Sequence, residues 1–150
     1  MSTTDTNLAA QHAEVKAEIA RTDTKTALLL AFVGAVLAGA WTLACDLPMN
    51  PAAYVVGELG LAFLIAAAGL LLRSVRPNLN GGGGFPLWAT LTPQQITATA
   101  ENRDLAADIA GLSRLAVTKF VCLRRAVDLT CTGGVLLILA ALAALGGAAV

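Results

Sequence analysis

The chain alternates between segments that carry charge and long runs of apolar residues. A membrane span needs about 20 mostly apolar residues, because the hydrocarbon core is roughly 30 Å thick. Three runs meet this requirement, at residues 26–45, 52–72 and 129–150. The first two are joined by residues 46–51, where Pro48 and Pro51 cannot continue a helix. The pattern therefore predicts a transmembrane hairpin followed by a C-terminal transmembrane helix.

The segments outside the spans are predicted to be amphipathic helices. Residues 1–25 contain neither proline nor glycine, so the helix of the first span is expected to continue into this N-terminal stalk without a break. Its charged face consists of Glu14, Glu18, Arg21 and Lys25, which repeat at helical spacing.

Residues 73–128 contain a glycine-rich linker at 78–86 and then a helix start at Thr92-Pro93. Thr92 can cap that helix, and Gln95 can return the capping-box hydrogen bond. The helix is expected to run on through an apolar stripe with steps of three and four residues, formed by Leu105, Ile109, Leu112, Ala116, Phe120, Leu123 and Val127. The predicted fold class is an all-α integral membrane protein with three transmembrane helices and a small cytoplasmic helical layer.

Composition and charge fix the environment and the orientation. Hydrophobic residues make up 57% of the chain and charged residues 13%, against roughly 45–50% and 25% in soluble domains. All ten Lys and Arg residues precede the first span or lie between the second and third. Because such residues are retained on the cytoplasmic side, the N-terminus and residues 73–128 are expected inside the cell, in the inner (plasma) membrane, with the C-terminus outside. The formal net charge of zero gives no reason to expect a nucleic-acid partner.

Residues with catalytic or metal-binding chemistry are few. The single histidine, His12, lies on the stalk without a set of metal-ligating neighbours, and no hydrolytic triad can be assembled. Cys45, Cys122 and Cys131 have no CxxC spacing and are expected to be unpaired. We therefore expect no enzyme activity, no metal and no cofactor.

Glu58 is a carboxylate within the second span, and an ionisable residue there marks a functional site by default. It lies near the outer boundary, so two interpretations stand: a residue that lines a pore, or a residue tolerated because it reaches head groups and water. Small residues in all three spans favour close helix contacts and a homo-oligomer. They are Gly34, Ala35, Ala38 and Gly39 in the first span, Gly57 and Gly60 in the second, and Gly133, Gly134, Gly146 and Gly147 in the third.

Three blocks of the chain resemble the Pycsar membrane effectors: EIARTDTKTALLLAFVGAVLAG, LLLRSVRPNLNGGGGFPLWATLT and LSRLAVTKFVCLRRAVDL. The resemblance covers nearly the whole chain, from about Glu14 to the third span. It implies a role in antiphage defence, in which a neighbouring cyclase makes cyclic CMP or cyclic UMP during infection. The effector then impairs the membrane, and the infected cell undergoes abortive infection. The implied partners are the lipid bilayer and that cyclic pyrimidine nucleotide.

The resemblance transfers no ligand-binding residues, so candidates rest on charge. An anionic nucleotide needs cytoplasmic cations, and paired guanidinium donors suit a phosphate. The hypothesis assigns this role to eight residues: Arg21, Asp23, Lys25, Asn102, Arg114, Lys119, Arg124 and Arg125. Asp23 or Asn102 would read a base edge or a ribose hydroxyl. The alternative is that these residues are positive-inside anchors and interhelical ion pairs.

Two other functional classes stay open. A structural or accessory membrane protein, such as a scaffold or a conjugation-associated factor, would have the same topology without a ligand response. An ion or proton channel subunit would depend on Glu58.

Overall fold

The computed structural model describes residues 3–46, 50–76, 85–101 and 104–147, and within these ranges it contains helices and no strand. The helices are α1 (Thr3–Asp46), α2 (Pro51–Val75), α3 (Phe85–Trp88), α4 (Pro93–Glu101) and α5 (Leu105–Gly147). Of these, α1, α2 and α5 are long and apolar enough to cross a membrane. The predicted all-α fold with three transmembrane helices is confirmed.

The chain divides into two units. One consists of residues 1–19 and 76–116, and the other, here called the membrane unit, of residues 20–75 and 117–150. Helices α1 and α5 contribute residues to both units. The unbroken α1 agrees with the helix expected from the stalk into the first span. Most of the predicted glycine-rich linker lies outside the described residues.

The segment after Thr92 differs from its prediction. The capping box forms as expected: the Thr92 backbone N–H donates to Gln95 Oε1 at 2.9 Å, and the Gln95 N–H donates to Thr92 Oγ1 at 3.4 Å. The helix that it opens is not continuous, because α4 ends at Glu101 and α5 begins at Leu105. Asp104 starts the new helix by accepting hydrogen bonds from the amides of Ala106 and Ala107, at 3.0 and 3.1 Å. An Asp side chain that accepts hydrogen bonds from the amides two and three residues ahead favours a helix that starts at this Asp over a helix that continues through it.

The described buried residues of the membrane unit fall on one stripe of each long helix. On α2 the steps along the stripe are three and four residues, and the stripe comprises Ala53, Gly57, Gly60, Leu64, Ala67 and Leu71. On α5 it comprises Ala126, Thr130, Gly133, Ala140 and Ala144, and on α1 Thr22, Thr26 and Val33. Two of the buried threonines are satisfied within their own helices: Thr26 Oγ1 donates to the Thr22 carbonyl at 2.9 Å, and Thr130 Oγ1 donates to the Ala126 carbonyl at 2.7 Å. Such spacing is typical of near-parallel helix packing with small residues at the contact.

Two contacts fix α2 against α5. At Gly60 and Gly133 the backbones approach so closely that a Cβ added to Gly133 would lie 2.9 Å from the Gly60 carbonyl oxygen. Near the start of α2, the Asn50 side-chain amide donates to the Ala143 carbonyl at 3.0 Å. Gly60 follows Asn50 by ten residues, and Gly133 precedes Ala143 by ten. The two helices are therefore antiparallel and keep one register between these contacts.

Asn50 has two structural roles that can be separated by mutation. Its Oδ1 caps α2 by accepting from the Ala53 N–H at 2.7 Å, while its amide holds α5. We expect Asn50→Ala to lower the free energy of unfolding by about 1–2 kcal/mol, because both bonds are lost. Asn50→Ser keeps a capping oxygen and loses the amide donor, so its thermal midpoint in detergent should lie between those of Asn50→Ala and the wild type. A midpoint for Asn50→Ala equal to that of the wild type would contradict both roles.

Candidate functional site

Charged side chains join α1 to α5 at one end of the membrane unit. The Lys119 ammonium donates to Asp23 Oδ1 at 2.6 Å. The Lys119 side chain is 18% exposed and that of Asp23 is 42% exposed. This partial burial reduces solvent screening compared with a fully exposed pair. The ion pair therefore ties the first transmembrane helix to the third.

The other end of the membrane unit shows that α1 and α5 run parallel. A pocket there brings together Ala40 of α1 and Leu137 of α5. Ala40 follows Asp23 by 17 residues, and Leu137 follows Lys119 by 18. Intervals that differ by one residue mean that the two helices stay close to one register from the ion pair to the pocket.

All six Lys and Arg residues of the membrane unit gather near the ion pair. The Asp23–Lys119 pair shows which residues of α1 and α5 lie at the same height along the helix axes, and the contact between Gly60 and Gly133 shows the same for α2 and α5. At a rise of 1.5 Å per residue, the six fall within about 12 Å along the helix axes. We call this group the basic belt; it consists of Arg21, Lys25, Arg73, Lys119, Arg124 and Arg125. Asp23 lies within this level, and Glu18 and Asp128 each lie three residues beyond its edges, which leaves a formal excess of about three positive charges.

The structure separates the eight predicted ligand residues. Lys25, Arg124 and Arg125 are exposed members of the basic belt, and so is Arg21, which makes a further interaction of its own. Asp23 and Lys119 engage each other, as the ion-pair alternative expected. Arg114 is exposed in the other unit, and Asn102 lies outside the described residues.

Arg73 was not among the predicted ligand residues. It lies 13 residues after Gly60, and the α2–α5 register places it level with Phe120, next to Lys119 in the chain. Its side chain is exposed. The sequence indicates only that Arg73 follows the end of the second span. Its height relative to α5 becomes known only from the register between α2 and α5.

Glu58 lies away from the basic belt, in the pocket at the hairpin end of the membrane unit. The pocket has a volume of about 100 Å³. Glu58 and Tyr54 are its polar side chains, and the rest of the lining is apolar: Ala40, Leu43, Ala44, Gly57, Leu61, Leu137, Ala140 and Ala141. Among the described residues, no group of three or more His, Cys, Asp or Glu side chains could hold a metal ion.

Comparisons with known proteins identify the family. The model of the Pycsar effector protein domain matches residues 7–146, which is nearly the whole chain. Neither the curated proteins nor the solved structures contain a match. The match includes α2, α3 and α4 entirely, together with most of α1 and α5. The chain therefore belongs to the Pycsar effector family, as its sequence blocks suggested, and is an antiphage-defence effector with three helices suited to the membrane.

Proposed function

We propose that this effector binds a cyclic pyrimidine mononucleotide, cyclic CMP or cyclic UMP, at the basic belt and responds by impairing the membrane, which causes abortive infection. The observation that carries the proposal is the collection of all six cations of the membrane unit at one level of three helices. A partner cyclase would supply the nucleotide. The family assignment supports the defence role, and the belt supports an anionic ligand.

The chemistry of the belt suits a cyclic phosphodiester. Such a ligand carries one negative charge, and guanidinium groups present paired donors to phosphate oxygens. Arg124 and Arg125 are exposed. Lys119 already has Asp23 as a partner, so contact with the ligand falls first to the arginines and to Lys25.

A ligand at the basic belt would act directly on the packing of the transmembrane helices. The ion pair that ties α1 to α5 lies at the same level as the proposed ligand. An anion placed there attracts Lys119 and repels Asp23, which weakens the pair. Helix α1 is the least covered by the rest of the protein, since 6% of its most apolar window is buried, compared with 28% for α2 and 22% for α5. We propose that α1 shifts against α2 and α5 and that the bilayer then leaks.

The remaining features of the proposal follow from charge and exposure. The belt would face the cytoplasm of a cell whose inner membrane holds the protein, with the hairpin and the C-terminus outside. Large exposed side chains on α1, such as Trp41 at 72% and Leu28 at 68%, would contact lipid or further copies of the chain. The protein acts in this scheme as a homo-oligomeric effector without catalysis.

Calorimetry and leakage tests can be made on the same preparation. We expect the purified chain in lipid nanodiscs to bind cyclic CMP or cyclic UMP, and the same nucleotide to release a trapped dye from proteoliposomes. The double variant Arg124→Gln/Arg125→Gln should bind at least tenfold more weakly, because hydrogen bonds to charged groups are worth about 1.5–3 kcal/mol. Lys16→Gln removes an exposed cation outside the membrane unit and should leave affinity unchanged. Absence of binding heat with both nucleotides would overturn the proposal.

A further inference from the structure

The pocket at the hairpin end presents one acidic group within a largely apolar wall. Glu58 and Tyr54 are four residues apart and therefore lie on the same face of α2. In a helix the Cα–Cβ bonds tilt toward the N-terminus, which for α2 is the hairpin end. The Glu58 side chain is thus directed toward the membrane surface at that end, where a long polar side chain reaches head groups.

No basic residue of the membrane unit lies near this carboxylate. The six cations of the membrane unit form the basic belt at its opposite end, and no ion pair to Glu58 occurs among the described residues. A second copy that lies parallel in the same membrane has its cations at that same opposite end. A positive charge that complements Glu58 is therefore supplied neither by the membrane unit nor by a parallel copy of it.

We propose that the Glu58 pocket binds a phospholipid with a primary-amine head group. The ammonium group of the lipid donates hydrogen bonds to the Glu58 carboxylate, and part of an acyl chain enters the apolar pocket beside Ala44 and Ala140. The volume of about 100 Å³ is smaller than that of an engineered cavity of about 150 Å³ that accepts benzene, so it holds only a short length of chain. An amphiphile satisfies both features of the pocket, its carboxylate and its hydrocarbon wall.

A bare metal ion fits this pocket poorly. Calcium takes six to eight oxygen ligands and magnesium requires an octahedral shell. The polar side chains in the described lining are Tyr54 and Glu58 alone. The amine needs only hydrogen-bond acceptors and brings its own apolar chain, so it is the better complement.

Native mass spectrometry of the detergent-purified full chain tests the proposal without any nucleotide, so its outcome is independent of the proposed function. The protein is mixed with equal amounts of dioleoyl-phosphatidylethanolamine and dioleoyl-phosphatidylcholine, which share acyl chains and net charge and differ in whether the head-group nitrogen carries N–H donors. We expect the amine lipid to be retained about tenfold more than the choline lipid, as charge-assisted hydrogen bonds predict. Glu58→Gln should abolish this preference.

Two further variants separate the carboxylate from its surroundings. Asp128→Asn removes an exposed carboxylate at the other end of the membrane unit and should keep the preference. Ala44→Leu fills the pocket from an exposed position and should reduce retention of the amine lipid while Glu58 is intact. Equal retention of the two lipids by the wild type, an undiminished preference in Glu58→Gln, or its equal loss in Asp128→Asn would each overturn the assignment.

Discussion

Gly133→Ala is expected to destabilise the membrane unit by about 1–3 kcal/mol relative to Gly134→Ala, as overpacking at a close contact does. The new Cβ would meet the Gly60 carbonyl oxygen at 2.9 Å and Leu64 Cγ at 3.0 Å. The first of these atoms belongs to the backbone, so α2 and α5 must move apart. Thermal unfolding in detergent measures the loss, and protection of cells against phage should fall with it.

The neighbouring glycine makes the comparison clean. At Gly134 an added Cβ has no atom within 4 Å other than its own helix and neighbours. Alanine raises helix propensity by the same amount, about 1 kcal/mol, at either position. The difference between the two variants therefore isolates the contact with α2. Equal stability of the two would mean that α2 and α5 do not pack at Gly60 and Gly133.

Reversing one charge of the Asp23–Lys119 pair is expected to release dye from proteoliposomes without nucleotide, because the proposed response begins with the weakening of this pair. Exchanging both charges should restore the dependence on nucleotide. Lys119→Asp places a second carboxylate beside Asp23, so the 2.6 Å attraction becomes a repulsion between α1 and α5. The double variant Asp23→Lys/Lys119→Asp recovers the attraction with its direction inverted. A double-mutant cycle on thermal stability should give a coupling of roughly 0.5–3 kcal/mol.

Stability measured without nucleotide keeps this result distinct from ligand binding, in which Lys119 could also take part. Lys25→Asp is the matched control, since it reverses an exposed cation two residues from Asp23. It should cost less than Lys119→Asp in the same unfolding measurement. Additive effects of the two changes at Asp23 and Lys119 would contradict a link between the helices at this point.

The sequence predicted the elements well because their signals are local. The three spans follow from the length of each apolar run, and the capping box follows from Thr92 and Gln95, three positions apart. The break before α5 was missed, although Asp104 is an ordinary N-cap residue. The apolar stripe from Leu105 onward gave no sign of the break, because the periodicity that predicts a helix does not mark where the helix begins.

The candidate site was predicted only in part because its geometry depends on register. Asp23 and Lys119 were both candidates, but they are 96 residues apart, and nothing local pairs them with each other. Arg73 can be assigned to the basic belt only from the register between α2 and α5, which the contact between Gly60 and Gly133 sets. Asn50 was overlooked in the loop, although an Asn before a Pro at a helix start is a cap signal that could have been used.

The continuity of α5 limits how the length of this chain can vary. Its 43 residues measure about 65 Å, roughly twice the thickness of the hydrocarbon core. Inserting or deleting one residue near Val127 would turn everything upstream by about 100° about the helix axis. Lys119 would then leave Asp23, while Gly133 would still meet Gly60. A change of seven residues would restore the angular phase to within about 20° but would move Lys119 about 10 Å along the axis, so it would break the ion pair as well. The length of α5 between Lys119 and Gly133 is therefore fixed by its two contacts, with Asp23 and with Gly60.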